Sequence, residues 1–454
     1  MQNEQIKILT ASLKRLLRRG ATRQLQNIIK KTHMADLAIS FKELSPDNRQ
    51  RLFKLIDDPE QIGLLFSTLE ETLFQEFVKK VDFEKLVDAF DHMASDDAAT
   101  LLSLLDEELS DKILSKMQTE ESDNVEQLMS YGEDAAGSLM ATDFVALEED
   151  VNAKQVIEAL QSKYLDVEMP FYIYVIDEYG KLVGVSSLRQ LVVVQPNLPL
   201  KEFMATDIVS VKPYTDREEV ARLVSRYDYL AVPVVDDDNR IVGIVTVDDV
   251  IDILHEAATE DILRMAGVGE EFVETQTVLR GTKTRLPWLM ASFIGGVAAF
   301  FIIGGFEEDL IKFTSLAAFI PVIMGMGGNI GTQSSTIVVR GIATGRIDIR
   351  DFSKVVLKEF SVGALLGIVY GLFIGIIASI TFASEPFSLA LAAVVGLAIL
   401  LSMAIAALVG SMVPLILERL RIDPAVATGP FVTTSIDIVS VYGYLIIASW
   451  LLGS

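Results

Sequence analysis

The segment GMGGNIGTQSSTIVVRG, residues 325–341, decides how the C-terminal part of the chain is interpreted. It contains five glycines, one asparagine, one glutamine and four hydroxyl residues, yet apolar runs long enough to cross a membrane lie on both sides of it. An unpaired polar group in hydrocarbon costs several kcal/mol, so a helix that faced only lipid would consist mainly of Leu, Ile, Val and Phe. Another helix, water or an ion must therefore face this segment.

The motif belongs to the second of five apolar segments of membrane-spanning length. About 20 apolar residues cross a bilayer as a helix, and the segments that reach this length are 288–305, 314–339, 359–382, 389–417 and 430–452. The first twenty residues are basic and amphipathic and lack the apolar core of a signal peptide. The C-terminal part is thus predicted to be an all-α membrane domain.

Lysine and arginine are distributed unequally among the connections between these segments. Ten of them lie before the first segment, between the second and third, and between the fourth and fifth, whereas the alternate connections contain only Lys312. Basic loops remain on the cytoplasmic side. The N-terminus is therefore predicted to be cytoplasmic and the C-terminus outside, and five crossings behind a large cytoplasmic region suit a bacterial inner membrane.

The charge of the chain is concentrated upstream of the membrane segments. The whole chain has 63 acidic and 39 basic residues, and residues 1–286 hold 53 of the acidic and 31 of the basic ones. Such a region repels nucleic acid, which is not expected as a partner, and favours cations; a solvated acidic surface is the alternative. There is no cysteine and only three scattered histidines, so a metal handled here would be a hard, oxygen-preferring ion.

The soluble part contains two kinds of sequence pattern. Residues 36–130 have apolar residues at three- and four-residue spacing, which predicts a superhelical array of short helices. After residue 137 an internal repeat appears: residues 140–160 resemble 204–224, and residues 175–192 resemble 234–251. Each repeat is predicted to contain an extended segment, a helix, two strands joined by an Asp-rich turn, and a second helix.

This repeat resembles a tandem pair of cystathionine-β-synthase (CBS) domains, a regulatory module that often binds adenine nucleotides. The resemblance implies that a Ser or Thr followed three residues later by Asp contacts ribose, and Thr246 with Asp249 fits that pattern. Ser187 is followed by Gln190 instead, so ATP, if bound, is expected chiefly in the second repeat. Helix capping by either pair is the alternative interpretation.

A CBS pair joined to five membrane helices, with PVIMGMGGNIGTQSSTIVVRG in the second, resembles the MgtE family of magnesium channels over essentially the whole chain. The implied fold is multidomain: an all-α superhelical N domain, an α/β tandem CBS pair, a connecting helix and an all-α membrane domain of five helices. The corresponding boundaries are 1–136, 137–200, 201–260, 261–286 and 287–454.

Asp437 lies well inside the fifth apolar segment. An Asp at the centre of a membrane helix costs about 2.5 to 3.5 kcal/mol and usually marks an ion or proton pathway. Helical spacing places it on one stripe that resembles a pore wall. The members of this stripe are Pro430, Thr433, Asp437, Ser440 and Tyr444.

The polar motif supplies further candidate pore residues, although small-residue helix packing is the alternative explanation for it. The MgtE resemblance implies that the acid matching Asp437 lines the pore of a homodimer and holds a largely hydrated Mg²⁺, which suits an ion that dehydrates reluctantly. The predicted pore residues are Asp437, Asn329, Thr332 and Thr433.

The same resemblance implies that cytoplasmic Mg²⁺ bridges the N domain, the CBS pair and the connecting helix and closes the pore. Solvated surface acids are the alternative for each single residue. The matching acids are Asp91, Asp96, Asp97, Glu218, Asp228, Asp249, Asp252, Glu260 and Asp261.

The sequence as a whole therefore predicts a Mg²⁺ channel or transporter for magnesium uptake, gated by cytoplasmic Mg²⁺. A divalent-cation exchanger or exporter coupled to Na⁺ or H⁺ is the main alternative. A nucleotide-sensing receptor without transport would leave Asp437 unexplained. An enzyme is not expected, because the sequence has no phosphate-binding Walker loop, no histidine cluster and no nucleophile paired with a base.

Overall fold

The computed structural model describes residues 2–164, 171–266, 278–427 and 429–452. The chain divides into two compact units, Met1–Leu254 and His255–Ser454. Each is described below by itself.

The first unit begins with ten short helices. Side chains cap the starts of α3, α7 and α9: Asp106, for example, accepts a hydrogen bond from the backbone N–H of Leu109 at 3.1 Å. The helices are α1 (Gln2–Arg19), α2 (Thr22–Ile29), α3 (Met34–Lys42), α4 (Pro46–Phe53), α5 (Pro59–Thr68), α6 (Glu71–Val78), α7 (Phe83–Asp91), α8 (Ser95–Ser103), α9 (Glu107–Leu114) and α10 (Thr119–Met129). The predicted array of short helices is confirmed.

Aromatic side chains fill the core of these helices. The ring of Phe77 contacts those of Phe41 and Phe53 edge to face, with centroids 5.5 and 5.0 Å away. Helices α2 to α10 have only 8 to 11 residues each and are too short to be stable alone, so the buried apolar residues that they contribute to this core stabilise the array.

The two sequence repeats fold as two similar α/β units. Each has an antiparallel strand pair, and in the first repeat a third strand pairs in parallel with the first strand of that pair. The elements are β1 (Ala146–Glu148), α11 (Ala153–Leu160), β2 (Tyr172–Ile176), β3 (Leu182–Ser187) and α12 (Leu188–Val193), then α13 (Arg217–Tyr227), β4 (Ala231–Val235), β5 (Ile241–Thr246) and α14 (Val247–Met265). The predicted CBS-like pair is confirmed.

The Asp-rich turns of the two repeats are built alike. Asp177 and Asp236 each accept a backbone hydrogen bond from the residue four positions later, at 2.8 Å in both turns. Gly180 and Asn239 occupy the matching left-handed positions, with φ of 77° and 65°. Glycine and asparagine are the residues that adopt this conformation at least cost, so the turn chemistry explains this part of the repeat.

In the described part of the second unit, five helices have the length and apolar composition needed to cross a membrane. The third begins earlier than predicted, at Phe352, so Lys354 and Lys358 lie in its first turns rather than in a loop. Their long aliphatic stems allow a charged end to reach water from a membrane helix. The helices of this unit that follow α14 are α15 (Val278–Gly305), the short α16 (Glu307–Lys312), α17 (Ile320–Ala343), α18 (Phe352–Thr381), α19 (Ser388–Arg419) and α20 (Pro430–Leu452).

Helices α18 and α19 approach closely along a row of glycines spaced four residues apart. A Cβ atom on Gly371 would lie 2.6 Å from the carbonyl oxygen of Gly396, and one on Gly367 would lie 2.8 Å from the Cα of Leu400. Only residues without a Cβ permit this distance, as in other small-residue interfaces of membrane helices.

We therefore expect Gly371→Val to lower the free energy of unfolding of the membrane unit by about 1–3 kcal/mol, because the new side chain forces α18 and α19 apart. Thermal unfolding in detergent measures the effect. Gly296→Val is the matched control, since a Cβ on Gly296 meets nothing within 4 Å. Equal stability of the two variants would contradict the packing argument.

Candidate ion pathway and cytoplasmic acids

Asp437 lies on α20 opposite a glycine of α17. A Cβ atom on Gly328 would be 3.7 Å from Oδ1 of Asp437, so the glycine leaves space beside the carboxylate. The carboxylate is half-buried, and no side chain in the described part of the chain is placed to form an ion pair with it. An intramembrane acid in this situation is available to a cation.

The helices around Asp437 pack antiparallel with a definite register. A Cβ on Gly327 would lie 2.7 Å from Oγ of Ser440, and one on Gly331 would lie 2.0 Å from Cδ1 of Ile436. Extending this register by one turn predicts that Thr332, four residues beyond Gly328, lies near Thr433, four residues before Asp437. We call this strip of α17 and α20, from Gly328 and Asp437 to Thr332 and Thr433, the seam.

The hydroxyl groups of this seam are donors to their own helices. Thr332 donates to the carbonyl of Gly328 at 3.0 Å, and Thr433 lies 3.3 Å from the carbonyl of Gly429. A hydroxyl that donates in this way directs its oxygen lone pairs outward, where they can accept hydrogen bonds from water around an ion. The fourth predicted residue, Asn329, is exposed on the neighbouring face of α17.

The predicted stripe on α20 is only partly a wall of this pathway. Ser440 is buried and its hydroxyl lies 2.7 Å from that of Ser402, while Tyr444 is 1% exposed and donates to the carbonyl of Leu316 at 2.9 Å. Ser440 and Tyr444 lie on this stripe, but both pack inside the bundle, so the interpretation of their part of the stripe as a pore wall is wrong. Both side chains satisfy their polar atoms inside the helix bundle, which helical spacing alone cannot distinguish from a pore.

Sequence reasoning missed a second acid in the membrane unit. Glu359 on α18 is 5% exposed and accepts a hydrogen bond from the hydroxyl of Ser334 on α17 at 3.0 Å. One polar residue of the 325–341 motif, Ser334, therefore forms a contact between helices. The sequence signal for Glu359 was its position immediately before a long apolar run. An acid at that position is also typical of the end of a loop, so Glu359 was not recognised as a residue buried between helices.

Three of the predicted sensing acids of the first unit, Asp96, Asp97 and Asp249, lie near one another. Burial, followed by the charges of Asp249 and Asp97, raises the pKa of Asp96 to about 8, and burial raises that of Asp249 to about 6. This cluster joins the start of α8 to the start of α14, beside a 2.9 Å contact between the hydroxyls of Ser95 and Thr142. Like charges held together in this way favour a bound cation or a bound proton.

Asp91 lies in a different acidic group. Its Oδ1 accepts the backbone N–H of Gln118 at 2.8 Å. Burial raises the pKa of Glu121, with the charges of Asp143, Glu120 and Asp91 adding to the rise. Sequence reasoning missed Glu120, Glu121 and Asp143, because tertiary packing, including the contact of Gln118 with Asp91, brings these residues together.

Other predicted sensing residues are dispersed on the surface of the first unit. Glu218 is exposed and lies 3.6 Å from Arg222 one turn later on α13, Asp228 ends that helix in a left-handed conformation with φ of 54°, and Asp252 is exposed on α14. Among the described residues no group of three or more carboxylate or histidine side chains is close enough to hold a metal ion. Mg²⁺ often uses only one or two carboxylates and several waters.

Two predicted sensing acids, Glu260 and Asp261, form ion pairs within the second unit. Arg264 pairs with both Glu260 and Asp423, and the carboxylate of Asp261 lies 3.8 Å from the guanidinium of Arg340. Arg264 and Arg340 already neutralise the carboxylates that the resemblance assigned to Mg²⁺. An ion acting there must compete with them.

The two candidate nucleotide motifs differ in their surroundings. Ser187 and Gln190 form a reciprocal capping box at the start of α12, as the alternative interpretation expected. The hydroxyl of Thr246 is used locally, since it bonds Asp248 and lies 2.7 Å from Oδ2 of Asp249. A pocket of about 590 Å³ is formed in the first repeat, lined by Tyr172, Val185, Ser187, Arg189, Gln190, Val193 and Ala205.

The packing of Asp96 makes the first unit sensitive to pH. The pKa of Asp96 is higher in the packed arrangement than in a solvated one, so packing is favoured when the group is protonated and weakens as the pH rises from about 4 to about 8. Without Mg²⁺, we expect slower limited proteolysis at pH 5.5 than at pH 8, and a much smaller difference in Asp96→Asn.

Asp111→Asn, at an exposed position of α9, is the matched control for this experiment. It corrects for the pH dependence of the protease itself. Added Mg²⁺ should reduce the difference, because a bound cation stabilises the ionised cluster. The same pH difference in Asp96→Asn and Asp111→Asn would contradict a role for Asp96.

Comparison with known proteins gives a consistent result over the full length. Residues 320–447 match the family model MgtE, described as a divalent cation transporter, residues 32–134 match the MgtE intracellular N domain, and residues 136–197 and 200–256 match the CBS domain. The chain is 36% identical to the magnesium transporter MgtE of Thermus thermophilus, covering 98% of both chains. It is 35% identical to that of Bacillus subtilis, covering 96% and 95%.

Solved structures agree for the soluble part. The cytosolic domain of the Mg²⁺ channel MgtE in complex with ATP is similar with a TM-score of 0.52 and 35% identity, covering 54% of this chain and 99% of that one. The soluble part of a magnesium transporter is similar with a TM-score of 0.53 and 29% identity, covering 56% and 99%. The chain belongs to the MgtE family of divalent cation transporters.

Proposed function

We propose that this protein conducts Mg²⁺ across a membrane and that Asp437 is the acid in its pathway. The observation that carries the proposal is a half-buried carboxylate on a membrane helix, beside Gly328 and without a basic partner in the described part of the chain. The relatives named magnesium transporters support this choice of ion. Since Mg²⁺ keeps most of its waters, Thr332 and Thr433 contact the hydrated ion through its water shell.

A second copy of the chain completes the pathway in this proposal. One carboxylate offers a single negative charge, so two copies of Asp437 match the charge of Mg²⁺. Asn329, Gln333 and Thr336 are polar, lie on a membrane helix and are exposed in the single chain, and polar groups facing lipid are costly. A symmetric partner or water in the pathway removes that cost.

The acidic cluster of the first unit is the proposed sensor of cytoplasmic Mg²⁺. Asp96, Asp97 and Asp249 repel one another when ionised, and a bound cation stabilises their packed arrangement more than a separated one. A ligand shifts a conformational equilibrium by this difference in affinity. The N-terminal region faces the cytoplasm of a bacterial cell in this proposal, in agreement with the basic loops.

Flux measurements distinguish a channel from the alternative exchanger. Purified protein in liposomes is expected to pass Mg²⁺ down its own gradient with equal Na⁺ and pH on both sides, and to rescue growth of a bacterium that lacks magnesium transport. Flux that occurs only with a Na⁺ or H⁺ gradient would favour coupled exchange. If other divalent ions permeate equally well, the proposal that the protein selects Mg²⁺ is wrong.

ATP is the proposed ligand of the CBS pair, because the related cytosolic domain was solved with ATP. The pocket in the first repeat offers Tyr172 for stacking and Arg189 for phosphate, whereas the hydroxyl of Thr246 is already bonded to Asp249. The pocket therefore favours the first repeat, in contrast to the preference expected from the sequence motif.

Calorimetry on the full-length protein tests this choice. We expect at most one ATP per chain, and weaker binding by about 10-fold or more in Arg189→Ala, because a hydrogen bond to a charged group contributes about 1.5–3 kcal/mol. Arg226→Ala, at an exposed position outside the pocket, is the control. Two equivalent sites per chain, or a loss in Thr246→Ala instead, would contradict the assignment to the first repeat.

A further inference from the structure

The start of the chain has the opposite charge to the rest of the soluble part. Residues 1–31 contain eight basic residues and one acidic residue, whereas residues 32–286 contain 23 basic and 52 acidic ones. The net acidity of the protein therefore conceals a strongly basic segment. Exposed charges interact over a Debye length of about 10 Å at 0.1 M salt, so a partner that approaches this segment meets its local charge.

Helix α1 carries four of these eight basic residues on one exposed face. Its buried side is apolar and includes Leu13, Leu16 and Leu17. At 100° per residue the opposite side is centred near Ala11 and carries the four exposed basic residues together with one exposed acid, Glu4; we call it the basic face. Its four basic residues are Lys7, Arg15, Arg18 and Arg19.

The basic face is not neutralised within the described part of its own unit. Lys14, at the border of this face, lies 3.6 Å from Glu43. In the described residues no carboxylate lies within ion-pair distance of Lys7, Arg15, Arg18 or Arg19. Ile8, which lies among them, is 63% exposed. Clusters of four or more lysines and arginines on an amphipathic helix are typical of binding to anionic lipid.

We propose that the basic face of α1 docks on the anionic phospholipid headgroups of a bilayer. Charge complementarity selects an anionic partner, and the five candidate membrane helices among the described residues attach the same chain to a bilayer. A basic residue near such a surface contributes about 1 kcal/mol, which is roughly a fivefold gain in attachment. The exposed Ile8 adds apolar contact at the headgroup boundary.

A single fluorescent label tests this proposal in the intact protein. The chain has no cysteine, so Ala11→Cys provides one attachment point at the centre of the basic face. Full-length labelled protein is placed in nanodiscs of phosphatidylcholine alone or of phosphatidylcholine with phosphatidylglycerol. We expect the label to become shielded from an aqueous quencher only with the anionic lipid, and about 1 M salt to reverse the shielding.

Two sets of charge-neutralising substitutions separate docking from a general effect of charge. Glutamine at all four positions of the basic face should abolish most of the shielding. Four glutamines at exposed lysines elsewhere in the first unit should leave the shielding unchanged, and these control positions are Lys54, Lys79, Lys116 and Lys181.

Three results would overturn the proposal. If the label stays accessible in anionic nanodiscs, the basic face is only solvated. If shielding is equal in neutral lipid and is reversed by salt, the partner is an acidic protein surface, such as a second copy of the chain. If the control substitutions abolish shielding as well, the local face on α1 is not the determinant.

Discussion

Asp437→Ala and Asp437→Asn should abolish or severely reduce Mg²⁺ flux in a protein that still folds. A carboxylate near the centre of a membrane helix costs about 2.5–3.5 kcal/mol, and no basic side chain in the described residues is paired with Asp437. Removing it therefore breaks no stabilising contact. If the passing ion recovers a comparable free energy, flux falls on the order of 100-fold.

The asparagine variant separates the effect of losing the charge from the effect of losing the side-chain volume, because asparagine has nearly the same size as aspartate and keeps one oxygen. Flux into liposomes and growth rescue are measured for both variants, with thermal unfolding in detergent as the check on folding. Ser449→Ala is the control, since Ser449 lies three turns further along α20. Wild-type flux in well-folded Asp437→Ala would remove Asp437 from the pathway.

The sequence contained strong information on the five membrane helices and on Asp437. Apolar length predicts a spanning helix because lipid offers the backbone no hydrogen bonds, and an acid in such a segment is costly enough to require a reason. The internal repeat predicted the CBS pair for a similar reason: Asp177 and Asp236 have the same neighbours because both form the same turn. These parts of the fold are confirmed.

The partners of individual polar residues could not be predicted from the sequence. Helical spacing placed Ser440 and Tyr444 with Asp437, but Ser402 and the carbonyl of Leu316 bind them inside the bundle. Likewise, the sequence placed Glu260 among candidate Mg²⁺ ligands, whereas Arg264 pairs with it. Periodicity defines the face of a helix, and tertiary packing determines what covers that face.

The limits of the domains remain a prediction. The boundary proposed at 260/261 falls inside α14, which runs to Met265 without interruption. Residues 267–277 of the predicted connecting helix lie outside the described residues. The change from soluble to membrane composition locates a domain boundary to within several residues. It does not show which residue of a continuous helix is the last one of the first domain.

Cytoplasmic Mg²⁺ should close the pore, and deletion of residues 1–262 should leave a channel that no longer closes at high Mg²⁺. Two like charges 4 Å apart repel by about 4 kcal/mol near a protein surface, so without a cation Asp96 and Asp249 favour separation once both carboxylates are ionised. Mg²⁺ offsets this repulsion and binds the packed arrangement preferentially. Patch-clamp open probability of both proteins against cytoplasmic Mg²⁺ measures the effect.

A full-length variant separates loss of the sensor from damage caused by truncation. Asp96→Asn with Asp249→Asn removes two charges of the cluster and should shift closure to higher Mg²⁺, because two candidate ligands are lost. Asp111→Asn on α9 is the control. Since Arg264 and Asp423 pair within the second unit, they remain in the truncated protein. If that protein closes as well as the full chain does, Mg²⁺ acts in the membrane unit and the acidic half is not the sensor.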